Sequence, residues 1–175
     1  MRLYHCTTEK RMEKIICDKK LKTECLRFFT KELNGPGATT QGYVYLSNEP
    51  TCAVYFGNCH SLVDKSTKLY LLRFDLSDGL LEADWDEIQY QKVPEWKLKS
   101  YVNELQCSLL ELKTCRVSFD IDFSKILTEY CLIDKNVVEI ADIVKTAGRD
   151  YKYVVEHYTD AQKNFLSSLI WKRIE

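Results

Sequence analysis

Residues 68–76 read Lys-Leu-Tyr-Leu-Leu-Arg-Phe-Asp-Leu, and any fold of this chain has to remove this nearly continuous apolar run from water. A short apolar run of this kind is typical of a strand that is buried on both faces. Residues 2–5 and 42–47 are shorter stretches with aromatic and β-branched residues, which also favour strands. The sequence therefore predicts a sheet in which residues 68–76 form a central strand.

A helix is predicted between the first two strands. Thr7 or Thr8 can be its N-cap, because a threonine hydroxyl accepts a hydrogen bond from the first turn. Met12, Ile15 and Ile16 then fall on one face at the i, i+3, i+4 spacing of an amphipathic helix. The pattern indicates one helix with a single apolar face.

Further helices are expected downstream. The second would begin after Asn48, with Pro50 near its first turn, and end near Gly57, because proline suits a helix start and glycine a helix end. Residues 94–115 and 160–174 also place apolar residues at helical spacing. Both segments are predicted to be helical.

The order of these elements indicates the fold class. One more strand is expected at residues 125–133, and strands and helices do not alternate as they do in a doubly wound parallel sheet. A length of 175 residues suits one domain. The sequence predicts a single α+β domain over residues 1–175, with residues 84–118 as a candidate insertion and a C-terminal helix at 160–174.

Charge and hydropathy restrict the partners and the compartment. Lys and Arg total 25 against 26 Asp and Glu, which argues against a broad electrostatic grip on nucleic acid. The locally basic residues 9–22 are typical of a solvated helix face. Charge begins at Arg2, and no stretch approaches the roughly 20 apolar residues that span a bilayer. A cytoplasmic chain, or one delivered to another cell by a non-classical route, is expected, with no membrane partner.

Cysteines and known motifs narrow the chemistry further. The eight cysteines include no Cys-x-x-Cys pair, so we expect free thiols and no metal. The nearest approach to a metal-ligand cluster is Cys52, Cys59 and His60. The glycine-rich fingerprints of dinucleotide and phosphate loops do not occur, and neither do the serine-hydrolase and zinc-protease motifs. The sequence motifs therefore do not support a classical dinucleotide-binding site, a phosphate loop, a serine hydrolase or a zinc protease.

Three residues stand out as functional candidates. His5 ends the first strand beside a helix cap, Tyr45 lies in the second strand, and Glu129 lies in the apolar residues 126–133. A carboxylate in an apolar strand is unfavourable unless it is paired or faces a wet cleft. Each also has a structural interpretation, as a turn histidine, a cross-strand aromatic and an edge-strand surface glutamate respectively.

The order of the motifs resembles the His-Tyr-Glu class of ADP-ribosyltransferases, which includes the poly(ADP-ribose) polymerases and diphtheria-toxin-like enzymes. Residues 3–7, Leu-Tyr-His-Cys-Thr, are similar to the opening strand of that class. Residues 42–47 and 52–55 resemble its tyrosine motif, and residues 69–74 its following long strand. Residues 128–134, Thr-Glu-Tyr-Cys-Leu-Ile-Asp, resemble its final strand, which carries the catalytic glutamate.

The resemblance implies a split mixed or antiparallel sheet flanked by helices, with NAD as the substrate. Glu129 would be catalytic: it would bind the ribose 2′-hydroxyl and stabilise the oxocarbenium-like charge as nicotinamide leaves. ADP-ribose would pass to a macromolecular acceptor, protein or nucleic acid, in the manner of a toxin or defence factor. The residues that the resemblance assigns to NAD are His5, Cys6, Thr7, Arg27, Tyr45 and Tyr55.

The roles of these residues follow the family pattern. His5 would bind the ribose next to nicotinamide, the backbone at Cys6 would receive the carboxamide, and Thr7 would support it. Tyr45 and Tyr55 would pack against the nicotinamide ring. Arg27, which precedes the loop at 31–41, would meet the pyrophosphate.

Departures from the family pattern leave alternatives open. Cys6 replaces the usual glycine, and Leu127 stands where the arginine-specific class has a second Glu or Gln. Residues 84–118 match no part of the family. The alternatives are a non-catalytic binding module of the same fold and an RNA 2′-phosphotransferase, whose phosphate-holding Arg and His residues are scarce here.

Overall fold

A computed structural model of the chain describes residues 1–25, 39–136, 164 and 166–174. Within them it shows an α+β fold in which a mostly antiparallel sheet is flanked by helices. The strands are β1 (Arg2–Thr8), β2 (Lys20–Leu21), β3 (Val44–Ser47), β4 (Lys68–Asp75), β5 (Thr114–Val117), β6 (Ile121–Asp122), β7 (Thr128–Asp134) and β8 (Lys172–Arg173). The helices are α1 (Glu9–Asp18), α2 (Pro50–Asp64), α3 (Trp85–Tyr90), α4 (Glu95–Leu98) and α5 (Glu104–Cys107), with a 3₁₀ turn at Asp78–Leu80 and a π-helical turn at Ser108–Leu112.

The main sheet has the strand order β5-β3-β1-β4-β7-β8, and β2 pairs with β6 in a second sheet of two strands. β4 lies between β1 and β7 and pairs with both over most of its length. Leu69, Leu71 and Leu72 of this strand are fully buried. The predicted central strand is therefore confirmed, as are strands within residues 2–5, 42–47 and 125–133.

The two faces of the main sheet are covered by different helices. Alternation along the strands sends Leu3 and Leu72 to the face that packs against Met12 of α1. Cys6 and Leu71 point to the opposite face, which packs against α2. The apolar run of β4 is thus buried on both sides, because its odd and even residues face different helices.

α2 is longer than predicted. It runs to Asp64, so Gly57 lies inside the helix rather than at its end. A Cβ built at Gly57 would lie 2.4 Å from Sγ of Cys6, which shows how closely the helix approaches β1. The glycine therefore serves helix-to-strand packing. The N-cap position is Glu49 rather than Asn48.

Two predicted helices are wrong in part. Residues 94–115 form α4, α5 and the π-helical turn, but the chain then enters β5, which pairs with β3. The candidate insertion at 84–118 therefore supplies a strand of the main sheet. At the C-terminus residues 166–168 are helical, whereas β8 pairs with β7 in place of the helix predicted up to residue 174. The open edge of β7 offers backbone partners that favour this pairing.

None of the described helices combines the length and the hydropathy needed to cross a membrane.

Candidate functional site

The candidate site lies where β1 and β3 part. These strands are paired in register at one position, Tyr4 with Ser47, whereas β4 pairs with all seven residues of β1. A cavity of about 400 Å³ borders both strands, α1, α2 and the start of α3. Small-molecule sites usually have volumes of roughly 300–1,000 Å³. Because the strands diverge here, His5 and Tyr45 both line the cavity although they belong to opposite faces of the sheet.

The imidazole of His5 is oriented by the neighbouring strand. Its Nδ1 lies 3.0 Å from the backbone oxygen of Tyr45. Because a carbonyl oxygen can only accept a hydrogen bond, Nδ1 carries the proton. In the neutral ring Nε2 is then an acceptor, which suits a ligand hydroxyl.

Cys6 and Thr7 also line the cavity, and both are almost fully buried. The Cys6 thiol packs against Gly57 of α2. Burial raises the pKa of this thiol far above its ordinary value, so the group is a poor nucleophile at neutral pH. The Cys6 side chain therefore belongs to the packing between β1 and α2.

α2 turns one face to the cavity, with Ala53, Phe56 and His60 at helical spacing. Tyr55 is not among the described residues that line the cavity. It makes an edge contact with Phe56, with ring centroids 5.2 Å apart, and packs beside the cluster around Ile88. Its position does not support the expected contact with nicotinamide, and Phe56 is the aromatic residue that α2 supplies to the cavity.

A basic wall comes from α1, through Lys10, Arg11 and Lys14. Nη1 of Arg11 lies 3.3 Å from Nδ1 of His60 on α2. The guanidinium can only donate, so this nitrogen of His60 is an acceptor and carries no proton. A neutral His60 therefore lies next to the cations of α1.

An acidic wall comes from the start of α3, through the buried carboxyl groups of Asp84, Asp86 and Glu87. Asp84 is the N-cap, and its Oδ1 accepts a hydrogen bond from the Glu87 backbone N–H at 3.1 Å. Burial raises the pKa of Asp84 to about 7, and the neighbouring charges of Glu87 and Asp86 act in the same direction. This carboxyl group changes charge near neutral pH, as groups in functional sites often do.

Tyr45 joins the acidic wall to β3. Its hydroxyl donates a hydrogen bond to Oδ2 of Asp86. Burial raises the pKa of this phenol, and the hydrogen bond to Asp86 raises it further. Among the described ion pairs, Asp86 pairs with Arg116 on β5, whose Nη1 lies 3.9 Å from Oδ2 of Asp86. Arg116 is the register partner of Tyr45 and also covers the Tyr43 ring, with its guanidinium carbon 3.8 Å from the ring centroid.

Glu129 lies elsewhere. β4 separates its strand from β1, which places the β1 and β7 axes about 10 Å apart. Its Oε2 accepts a hydrogen bond from Nε of Arg73 at 2.8 Å, and this bond lowers the pKa of Glu129. Arg73 in turn covers the ring of Trp171, with its guanidinium carbon 4.0 Å from the centroid. Among the described residues, Glu129 is not part of the cavity lining, so the expected convergence of His5, Tyr45 and Glu129 is not seen.

Two further expectations concern Arg27 and metals. Arg27 lies outside the described residues. Within residues 1–25, 39–136 and 164–174 as far as they are described, no group of three or more His, Cys, Asp or Glu side chains is arranged to hold a metal ion.

The acidic wall was missed from sequence. Asp84, Asp86 and Glu87 form a dense carboxylate run with an N-cap pattern before an apolar residue, which is the signal that could have indicated buried acids. Their position beside Tyr45 depends on the packing of α3, whose Ile88 lies against Cys52 of α2 and Leu112 of the π-helical turn, and no local pattern indicates this packing.

Searches against protein-family models, curated proteins and solved structures find no match for this chain.

Proposed function

We propose that the chain binds NAD in the cavity between β1 and β3 and transfers ADP-ribose from it to a macromolecular acceptor, with release of nicotinamide. The observation that carries the proposal is that His5, Thr7 and Tyr45 line one cavity at the point where β1 and β3 part. The resemblance assigns all three to NAD, although they are far apart in sequence.

The distribution of charge in the cavity supports the same ligand. NAD carries a positive nicotinamide ring and a negative pyrophosphate. The acidic wall of α3 lies beside Tyr45, which suits a cationic ring, and the basic wall of α1 suits a phosphate. Phe56 and Tyr43 add aromatic surface to the cavity lining.

The reaction needs little covalent chemistry from the protein. The bond between the nicotinamide nitrogen and ribose C1′ breaks, and its electron pair leaves with nicotinamide. Positive charge develops on the ribose until an acceptor nucleophile forms a bond to C1′ and loses its proton. Preformed negative charge near C1′ would be the main catalytic contribution.

The acidic wall is the better source of that charge. Asp84 and Glu87 line the cavity and would supply this charge, with Asp86 bound to Tyr45, whereas Glu129 is paired to Arg73 outside the cavity. In the proposed site His5 accepts a hydrogen bond from a ribose hydroxyl through Nε2, and Tyr45 packs against the nicotinamide ring.

The test is nicotinamide release from NAD by purified protein, with and without cell lysate, followed by transfer of label from NAD to the acceptor. His5→Ala and Tyr45→Ala should each reduce release at least about tenfold, since each removes a contact to the substrate. Glu95→Gln is the matched control, because Glu95 is an exposed carboxylate paired only with Lys99 among its described ion pairs. Circular dichroism of each variant separates loss of the site from loss of the fold.

The outcomes separate the candidate functions. Release that depends on His5 and Tyr45 supports the transferase, and an increase with lysate supports a macromolecular acceptor. Binding of NAD without release in any lysate supports a non-catalytic module of the same fold. Release that depends on Glu129 but not on His5 or Tyr45 would contradict the assignment of the cavity.

A further inference from the structure

Asp86 is a buried carboxylate that accepts hydrogen bonds from Thr40 and Tyr45. The residue is only 8% exposed. Its Oδ2 accepts a hydrogen bond from the Thr40 backbone N–H at 2.8 Å, and its Oδ1 accepts one from Oγ1 of Thr40 at 2.8 Å. The Tyr45 hydroxyl is the third donor. A buried carboxylate is tolerated when such donors replace water.

The hydroxyl of Tyr45 is held by the same residues. Its oxygen lies 2.9 Å from the Thr40 nitrogen, whose one N–H is shared between Tyr45 and Asp86, and 3.1 Å from the Thr40 carbonyl oxygen. The hydroxyl has one proton, and the ionised Asp86 is the stronger of its two acceptors. The ring is thus fixed at both ends, at Cβ by β3 and at the hydroxyl by Asp86 and Thr40.

The charge of Asp86 is partly balanced from the other side. Nη1 of Arg116 lies 3.9 Å from Oδ2 of Asp86. Asp86 is therefore built into a contact between α3, β5 and the chain that leads into β3. Among its described contacts, the hydrogen bond from Tyr45 connects Asp86 to a side chain of β3 that lines the cavity.

We propose that Asp86 is a positioning residue that fixes the orientation of the Tyr45 ring on the cavity wall before a ligand arrives. This inference rests on the proposed function, in which that ring packs against nicotinamide. A ring that is ordered in advance does not lose rotational freedom on binding. Immobilising one side chain changes affinity by about threefold to tenfold.

The experiment is a double-mutant cycle with Asp86→Asn, Tyr45→Phe and the double variant. Asp86→Asn keeps the volume and an acceptor oxygen, and Tyr45→Phe keeps the ring but removes the hydroxyl. Two quantities are measured: the NAD dissociation constant by calorimetry, and the χ1 rotamer populations of Tyr45 from NMR coupling constants. Tyrosine signals that disappear in Tyr45→Phe are assigned to Tyr45.

We expect each single variant to raise the NAD dissociation constant about threefold to tenfold, and the double variant to raise it no further. Tyr45 should populate a single χ1 rotamer in wild type and more than one in Asp86→Asn. Additive effects on affinity, or unchanged rotamer populations, would overturn the positioning role. If wild-type protein binds no NAD, the proposed function fails on its own, and the rotamer populations still decide whether Asp86 fixes the ring.

Discussion

Gly57→Ala tests the contact between α2 and β1, which both line the cavity. The new Cβ would lie 2.4 Å from Sγ, 2.8 Å from Cβ and 3.2 Å from the carbonyl carbon of Cys6. Ordinary contacts between such atoms are about 3.5–4.0 Å. Rotation of the Cys6 side chain can move Sγ but not Cβ, so the strand or the helix has to shift.

Two opposing effects set the size of the change. Alanine is favoured over glycine inside a helix by about 1 kcal/mol. Overpacking of a tight interior site destabilises by about 1–3 kcal/mol. Because one of the clashing atoms is a Cβ on a strand that pairs with β4 along its whole length, we expect the upper part of that range. The net loss in the free energy of unfolding should be about 1–2 kcal/mol.

The assay is urea denaturation of wild type, Gly57→Ala, Cys6→Gly and the double variant of these two substitutions. Gly79→Ala is the matched control. No atom lies within 4 Å of a Cβ built at Gly79, so that substitution should change stability by less than about 0.5 kcal/mol. In the Cys6→Gly background only the 3.2 Å contact remains, and Gly57→Ala should be neutral or stabilising by up to about 1 kcal/mol. Equal effects of Gly57→Ala in both backgrounds would refute the packing argument.

Three further expectations concern charge. Glu129→Gln should lower stability by at most about 1 kcal/mol at pH 7, because its pair with Arg73 is partly exposed. Since the pKa of Glu129 is lowered from 4.5, that contribution is present above pH 4.5 and disappears as the pH falls further; unfolding of both proteins at pH 7 and pH 3 checks this. The pH dependence that Asp84 causes has the opposite sign. Its pKa is raised from 3.8 to about 7, so the free energy of unfolding of the wild type should decline as the pH rises through this interval. Asp84→Asn keeps an oxygen at the N-cap and should reduce this decline. Finally, calorimetry should show that oxidised NAD binds severalfold more tightly than reduced NAD, whose nicotinamide ring is uncharged. Neutralising Glu87 together with Asp84 should reduce that preference. Equal affinities for both forms would contradict the placement of the nicotinamide ring beside the acidic wall.

Local sequence accounts well for the elements whose burial is decided by their own residues. The run at 68–76 is apolar at odd and even positions, so it forms a strand wherever both of its faces can be covered. Thr8 occupies the N-cap position of α1, although its hydroxyl donates to Asp64 and does not cap the first turn. Met12 of the predicted apolar face is buried, whereas Ile16 is exposed. These outcomes need only hydrophobic periodicity and backbone propensity, which are properties of a few adjacent residues.

Local sequence was misleading where a partner segment decides the conformation. The helix predicted over residues 94–115 extends too far, because Thr114 and Cys115 belong to β5, for which β3 offers an open edge. Lys172 and Arg173 pair with β7 for the same reason. Strand pairing depends on which backbone lies alongside, and the side-chain pattern of a short segment does not specify it.

The candidate site likewise has a part that local sequence predicts and a part that depends on tertiary contacts. The sequence by itself predicted strands around His5 and Tyr45 in an α+β domain. The expectation that His5 ends its strand was wrong, because β1 continues through Thr8 and places His5 in its middle. Only the tertiary structure decided that β1 and β3 separate after one registered pair, so that these side chains line one cavity. It also decided that Glu129 faces Arg73 while Asp86 meets Tyr45. The physical reason is that a carboxylate takes its role from the charges and donors around it, and those neighbours are brought there by strand order and helix packing.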